Sequence, residues 1–137
     1  MRLRLSLAAL PLVLLAACGA PGGGSQFLAP GASYTVTQID GRPAPEGVTL
    51  EVTETGRIAG QAPCNRYFAT LAPTATGIEI SAPGVTRMAC LDRERTAAET
   101  AFLAALEGPR TVLPGTAPGQ LALREGNRTR LLLVRAQ

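Results

Sequence analysis

The chain has 137 residues, with 13 basic against 10 acidic side chains, no histidine and three cysteines. That length holds one small domain, and basic residues scattered among acids, with only 4% aromatics, exclude an arginine-led nucleic-acid surface. Without histidine, lysine or a Gly-x-Ser-x-Gly elbow, nucleophilic catalysis and a four-ligand zinc site are both unexpected, so no enzyme activity, cofactor or metal is anticipated.

Residues 1–17 have the layout of a secretory signal. Arg2 and Arg4 form a basic start, residues 5–15 are apolar apart from Ser6 and Pro11, and Ala16 and Ala17 precede Cys18. The apolar run is too short for a comfortable bilayer span. Leu15-Ala16-Ala17-Cys18 resembles the bacterial lipobox, in which the cysteine is lipidated and becomes the first mature residue. The other reading is an ordinary signal that leaves Cys18 incidental. Two or more acyl chains, at about 0.8 kcal/mol per buried methylene, anchor a protein stably. Gly19 stands where aspartate marks inner-membrane retention, which points to the outer membrane and a domain facing the periplasm. Export leaves Cys64 and Cys90 as an even pair, expected to form a disulfide in an oxidising compartment. Their spacing is not the Cys-x-x-Cys of a redox-active pair. The loop they enclose contributes about 3.5 kcal/mol on the chain-entropy model.

Residues 18–31, rich in Gly, Pro, Ser and Ala, read as a lipidated flexible tether, and the domain as 32–137. Residues 33–39 form a first strand, and Asp40-Gly41 a turn. Residues 42–46, with two prolines, read as a loop. Residues 48–53 alternate Val48, Leu50 and Val52 inward with polar residues outward. Glu54-Thr55-Gly56 turns the chain into a strand at 57–60. Residues 65–71 put Tyr67, Ala69 and Leu71 on one face and Phe68 on the other, a pattern that fits cover on both sides. A short strand at 78–80 is closed by Ser81-Ala82-Pro83-Gly84, and 85–88 leads as a strand into Cys90. One helix is predicted between Asp92 and Leu106. Thr96 and Glu99 match a capping box, and Asp92 offers a cap one turn earlier. Ala98, Phe102 and Leu106 make its apolar stripe, and Gly108-Pro109 stops it. Residues 110–113, 120–123 and 129–134 are further strands. The pattern predicts a mainly β (α+β) fold: a small antiparallel sheet curved into a barrel or half-barrel, with the helix covering an open side or mouth.

Four pieces in order carry a resemblance: Gly56-Arg57-Ile58-Ala59-Gly60, Cys64-Asn65-Arg66-Tyr67-Phe68, Thr86-Arg87-Met88-Ala89-Cys90 and Glu99-Thr100-Ala101-Phe102-Leu103-Ala104-Ala105-Leu106. Their order and spacing resemble the META domain, or HslJ-like, family over most of the mature chain. Pro63 stands where many members have glycine before Cys-Asn, and Tyr34 takes the place of the usual first-strand tryptophan. The resemblance implies a small, mostly β domain, exported or lipid-anchored, with no agreed reaction and a setting of heat-shock, envelope-stress and antibiotic tolerance.

The candidate binding surface is Asn65, Arg66, Arg57 and Arg87. The arginines flank the motifs and fit either an anion or lipid-headgroup site or a solvated face. Asn65 fits either a ligand contact or the satisfaction of loop backbone groups. Asp92, Glu94 and Glu99 read as helix N-terminal charges. The expected protein is a non-enzymatic, monomeric, lipid-anchored envelope accessory that binds an envelope protein or component and supports stress tolerance. The alternative is an inhibitor of an envelope-directed hydrolase, a lysozyme or a protease.

Overall fold

The computed structural model describes residues 25–137, and its sheet is built on the alternation seen in the sequence. In β3 (Thr49–Glu54), Leu50 and Val52 are buried while Glu51 and Thr53 are exposed. The same inward set recurs in β1 (Ser33–Ile39), β4 (Arg57–Gln61) and β5 (Arg66–Pro73). Period-two burial lets one face line a core while the other meets water. β6 (Ile78–Val85), β7 (Gly108–Pro114), β8 (Gln120–Glu125) and β9 (Arg128–Arg135) complete an antiparallel order β1-β3-β4-β5-β6-β7-β8-β9. β9 pairs back onto β1, so the sheet closes into an eight-stranded barrel, and the predicted mainly β architecture with one covering helix is what the chain adopts. Side chains fill a barrel of this size, and Val48, Leu50, Ile80, Leu123, Leu131 and Leu133 are completely buried in it. Each contributes about 1.5–3 kcal/mol by leaving water.

Several local expectations are corrected. The stretch read as a loop after Asp40-Gly41 contains β2 (Arg42–Pro43), a two-residue addition to the edge of β1. The residues thought to close the strand at 78–80 continue it, and β6 runs to Val85. A bulge absorbs them: Phe68 pairs with Gly84 but Thr70 with Ser81, and Ala82 takes a positive φ of 52°. Pro83 lies in that bulge, where no partner needs its missing N–H. β7 pairs with β6 only at Ile78, Glu79 and Ile80. The predicted strand at 85–88 stops at Val85, and residues 86–92 are irregular.

The α-helix α1 (Arg93–Leu106) closes one mouth, lying against β1, β6 and β9. Phe102, Ala105 and Leu106 are its buried residues; of the expected stripe, Phe102 and Leu106 are buried and Ala98 is half-buried. Phe102 meets the Tyr67 ring edge-on, with centroids 5.1 Å apart. Burial pushes the Tyr67 hydroxyl pKa up, aided by the nearby Glu51 charge, and that hydroxyl donates to the Thr49 carbonyl at 2.9 Å. Asp92 is the N-cap, accepting from the N–H groups of Glu94 and Arg95 at 2.9 and 3.1 Å, so the longer helix is the correct one. Thr96 does not cap; its hydroxyl donates to the Asp92 carbonyl.

At the helix C-terminus the guanidinium of Arg110, only 3% exposed, donates to the carbonyls of Ala105 (2.9 Å), Ala104 (3.3 Å), Glu107 and Pro109 (2.7 Å). A cation there satisfies orphan carbonyls and complements the helix dipole. Burial lowers its pKa, and Glu125, Glu79 and Asp40 oppose that.

The other mouth is filled by a short 3-10 helix, Ser25–Leu28, with Leu28 buried. The Tyr34 hydroxyl donates to the Phe27 carbonyl. The packed unit therefore begins at or before Leu28, and the tether expected to run to residue 31 is shorter: Leu28 is a large apolar group in a Pro/Gly-rich stretch, and it docks. Cys18 and the signal motif lie outside the described residues.

Candidate functional site

The two cysteine motifs meet beside α1. The Cys64 and Cys90 sulphurs are bonded at 2.03 Å, with Cα atoms 5.8 Å apart. A second tie lies alongside, made by hydrogen bonds to a carboxylate. Glu99, one turn before Phe102, points away from its own helix end. Its Oε2 accepts from the N–H groups of Cys64 (2.8 Å) and Asn65 (2.7 Å), and its Oε1 from the Asn65 side-chain amide (2.9 Å). The capping-box role expected of Glu99 is thus overturned by a partner 34 residues away. Three hydrogen bonds to one carboxylate outweigh a single cap.

Asn65 is 7% exposed and relays this tie. Its Oδ1 accepts from the Met88 N–H (2.8 Å) and the Thr86 hydroxyl (3.2 Å). Of the two roles open to Asn65, a surface ligand contact and the satisfaction of loop backbone groups, it takes the second, as an interior clamp that fixes residues 86–88 to α1. Thr86 is also held by Arg66, through its N–H to the Arg66 carbonyl (3.0 Å) and through the Arg66 N–H to its hydroxyl (3.2 Å). Arg95 binds the Pro63 carbonyl at 2.7 Å, so the proline at the glycine position is buried and engaged.

The clamped segment exposes apolar side chains. Met88 is 71% exposed and Leu91 is 96% exposed. Leu91 precedes the N-cap, where an apolar residue often staples to the fourth helical position. That position is Thr96, which gives it nothing to pack on.

On the outer face of β5, Phe68 is 62% exposed and lies over Gly84, where a Cβ would come within 2.5 Å of its ring. The outer face at Phe68 is therefore open, not covered as the alternation had allowed. Beside Phe68 is a groove of about 340 Å³, lined by Arg57, Ala59, Thr70 and Ala82 among others. Arg66 lies beside the segment 86–92 and Arg87 within it, both exposed, and neither forms an ion pair among the described residues. Arg57 is on the same sheet face as Arg66 but four residues along the ladder, roughly 13 Å away at 3.3 Å per residue. It is paired with Glu54 at 3.4 Å. The three arginines therefore do not converge on one anion.

Gly60 has a structural reason: a Cβ there would meet the Thr49 carbonyl oxygen at 2.4 Å. A separate apolar cavity of about 190 Å³ lies at the other mouth, against Leu28, Val52, Leu71 and Ile78. Among the described residues, no group of three or more His, Cys, Asp or Glu is placed to hold a metal, and no helix is long and apolar enough to cross a membrane.

Sequence reasoning missed Glu99 as a clamp, Arg110 as a C-terminal cap, and Leu91 as an exposed group. The unpartnered staple position was the available signal for Leu91.

Comparison with known proteins gives the relationship. The model of the META domain matches residues 26–137. A protein from Burkholderia xenovorans, solved by NMR, is 28% identical with a TM-score of 0.63, over 93% of this chain and 99% of that one. A second NMR structure, 17% identical with a TM-score of 0.59 over 77% of this chain and 90% of that one, shares the fold. No curated protein matches. The motifs around Cys64 and Cys90, the barrel with its covering helix and the family match over nearly all the described residues agree: this chain belongs to the META domain, HslJ-like, family.

Proposed function

We propose that this chain is a non-enzymatic, monomeric, lipid-anchored envelope protein that acts by binding another envelope component, in the setting of stress tolerance. The observation that carries the reading is the segment 86–92, which exposes Met88 and Leu91 on main chain fixed by the disulfide and by Asn65. Exposed apolar groups gathered on a rigid frame and flanked by Arg66, Arg87 and Phe68 have the make-up of a protein interface, where aromatic, Met and Arg side chains are enriched. The two carboxylates at this surface, Glu99 and Asp92, are both occupied by backbone N–H groups, which supports binding over hydrolysis. Cys18 carries the lipid, and Gly19 directs the anchor to the outer membrane with the domain facing the periplasm.

Crosslinking in whole cells followed by recovery of the anchored protein tests this. Wild type is expected to bring down a discrete envelope partner that Met88→Ser/Leu91→Ser loses; equal recovery by both chains contradicts the assigned surface. Cys18→Ser is expected to abolish palmitate labelling, and a labelled variant contradicts the anchor.

The second reading, an inhibitor of an envelope-directed hydrolase, is favoured by one observation. The exposed segment sits at one end of the barrel and is ordered before any partner arrives, the pre-organisation that tight inhibitors use.

A further inference from the structure

The main chain of residues 87–91 is held in place yet largely unpaired. Among the described residues, the N–H of Met88 is bonded, but the N–H and C=O groups of Arg87, Ala89, Cys90 and Leu91 have no hydrogen-bond partner. On its N-terminal side the segment is pinned by Thr86 to Arg66 and by Met88 to Asn65. On its C-terminal side it is pinned by the disulfide at Cys90 and by Asp92 as the cap of α1. Such a segment presents open donors and acceptors in a fixed shape. Peptide clefts recognise that arrangement by main-chain hydrogen bonds for affinity and by side-chain pockets for specificity. Leu91, the most exposed large apolar residue among those described, is available to fill such a pocket.

We propose, resting on the inhibitor reading above, that residues 87–91 enter the active-site cleft of an endopeptidase with an apolar specificity pocket, that Leu91 fills the pocket, and that the enzyme is blocked. The clamps explain why the chain is not an ordinary substrate. Were the bond after Leu91 cut, Cys90 would stay tied to Cys64 and Asp92 to α1, so the ends would be held together and favour religation over release.

The test uses the mature oxidised chain against chymotrypsin-type, elastase-type, subtilisin-type and trypsin-type endopeptidases, read as the initial rate on a chromogenic peptide. One or more of the first three is expected to be inhibited, with Leu91→Asp weakening inhibition at least ~100-fold and Met88→Asp less than about tenfold. The trypsin type, whose pocket selects arginine and not leucine, is expected to show no inhibition that Leu91→Asp removes. Circular dichroism of both variants is expected to match wild type, since both side chains are exposed. No inhibition of any of the three, or rapid cleavage after Leu91, overturns the inference. If an envelope protein is still captured through Leu91 while every endopeptidase runs freely, this inference falls and the binding reading stands. Sedimentation of the Cys18→Ser chain with phosphatidylglycerol vesicles, lost in Leu91→Asp, assigns the segment to a lipid surface and overturns it as well.

Discussion

Replacing Glu99 probes the tie between α1 and the two cysteine motifs. Its carboxylate accepts three hydrogen bonds, from the Cys64 and Asn65 N–H groups and the Asn65 amide, at 2.7–2.9 Å. Glu99→Ala leaves all three donors without the acceptor. Hydrogen bonds to a charged group contribute about 1.5–3 kcal/mol each when buried. Glu99 is half-exposed, so water replaces part of what is lost, and the expected cost is about 3 kcal/mol for the alanine variant. Glu99→Gln is the finer probe. Its oxygen can serve the two backbone N–H groups that share Oε2, but its NH2 then faces the Asn65 NH2. Asn65 cannot flip to relieve this, because its Oδ1 is held by Met88 and Thr86. One hydrogen bond is lost and two donors are opposed, at a cost of about 1–2 kcal/mol. Urea melts with m near ~1.5 kcal/mol/M would place the midpoints about 2 M and about 1 M below wild type. Hydrogen exchange at the Met88 N–H should quicken in both, since Asn65 loses its support. Two variants that melt within about 0.3 M of wild type would mean the clamp contributes nothing, and the ordered segment would need another cause.

Phe102→Ala should cost about 3–5 kcal/mol by lost transfer and a cavity against Tyr67, whereas Asp92→Ala, which removes a cap, should cost about 1 kcal/mol; equal small losses in urea would put the helix on the surface. Arg110→Ala should cost about 3 kcal/mol by removing the donor shared by four carbonyls at and after the end of α1, that of Ala105 buried, and Arg110→Lys should recover little of it, because a lysine lacks the guanidinium's fork of donors. Cys64→Ala, Cys90→Ala and the double variant should each lose a similar amount, about 3 kcal/mol, and peptide mapping that finds both thiols free would rule the bond out. The hydrogen bond from Arg130 holds the Glu125 carboxyl below its usual range, against a smaller effect of desolvation and with help from nearby arginine charges. A lowered folded-state pKa gives stability present above the unfolded value of about 4.3 and lost as pH falls through the folded one. The gap between wild type and Glu125→Gln should therefore be small and flat from about pH 6 to 8, and close in acid; a gap that widened in acid would reverse the sign.

The strands were legible wherever one face is buried. Val48, Leu50 and Val52 alternate with polar residues and all three are core, and the spacing of Phe102 and Leu106 marks the buried side of α1. What local pattern could not supply was long-range pairing. Thr96 and Glu99 satisfy a capping-box spacing, yet Glu99 bonds residues 34 and 35 positions away, where two N–H groups and an amide converge. Arg110 reads as a polar strand residue because nothing in its neighbourhood shows that four carbonyls will meet it. Pro83 and Gly84 look like a strand end because their usual meaning is a break, but a bulge lets β6 carry them. Among the surface candidates, the arginines were placed on the right face but not together. Asn65 was singled out for its position next to Cys64, and it proved to be held on both sides of its amide.

A photoreactive residue placed in the native envelope at position 91 or at position 55 tests the central claim most directly. Leu91 is in the clamped segment at the helix-covered mouth, and Thr55 is also exposed, in the turn between β3 and β4 at the other mouth. A discrete protein adduct from position 91 and none from position 55 is the predicted result. Adducts from position 55 alone would contradict the assignment of the binding surface to residues 86–92.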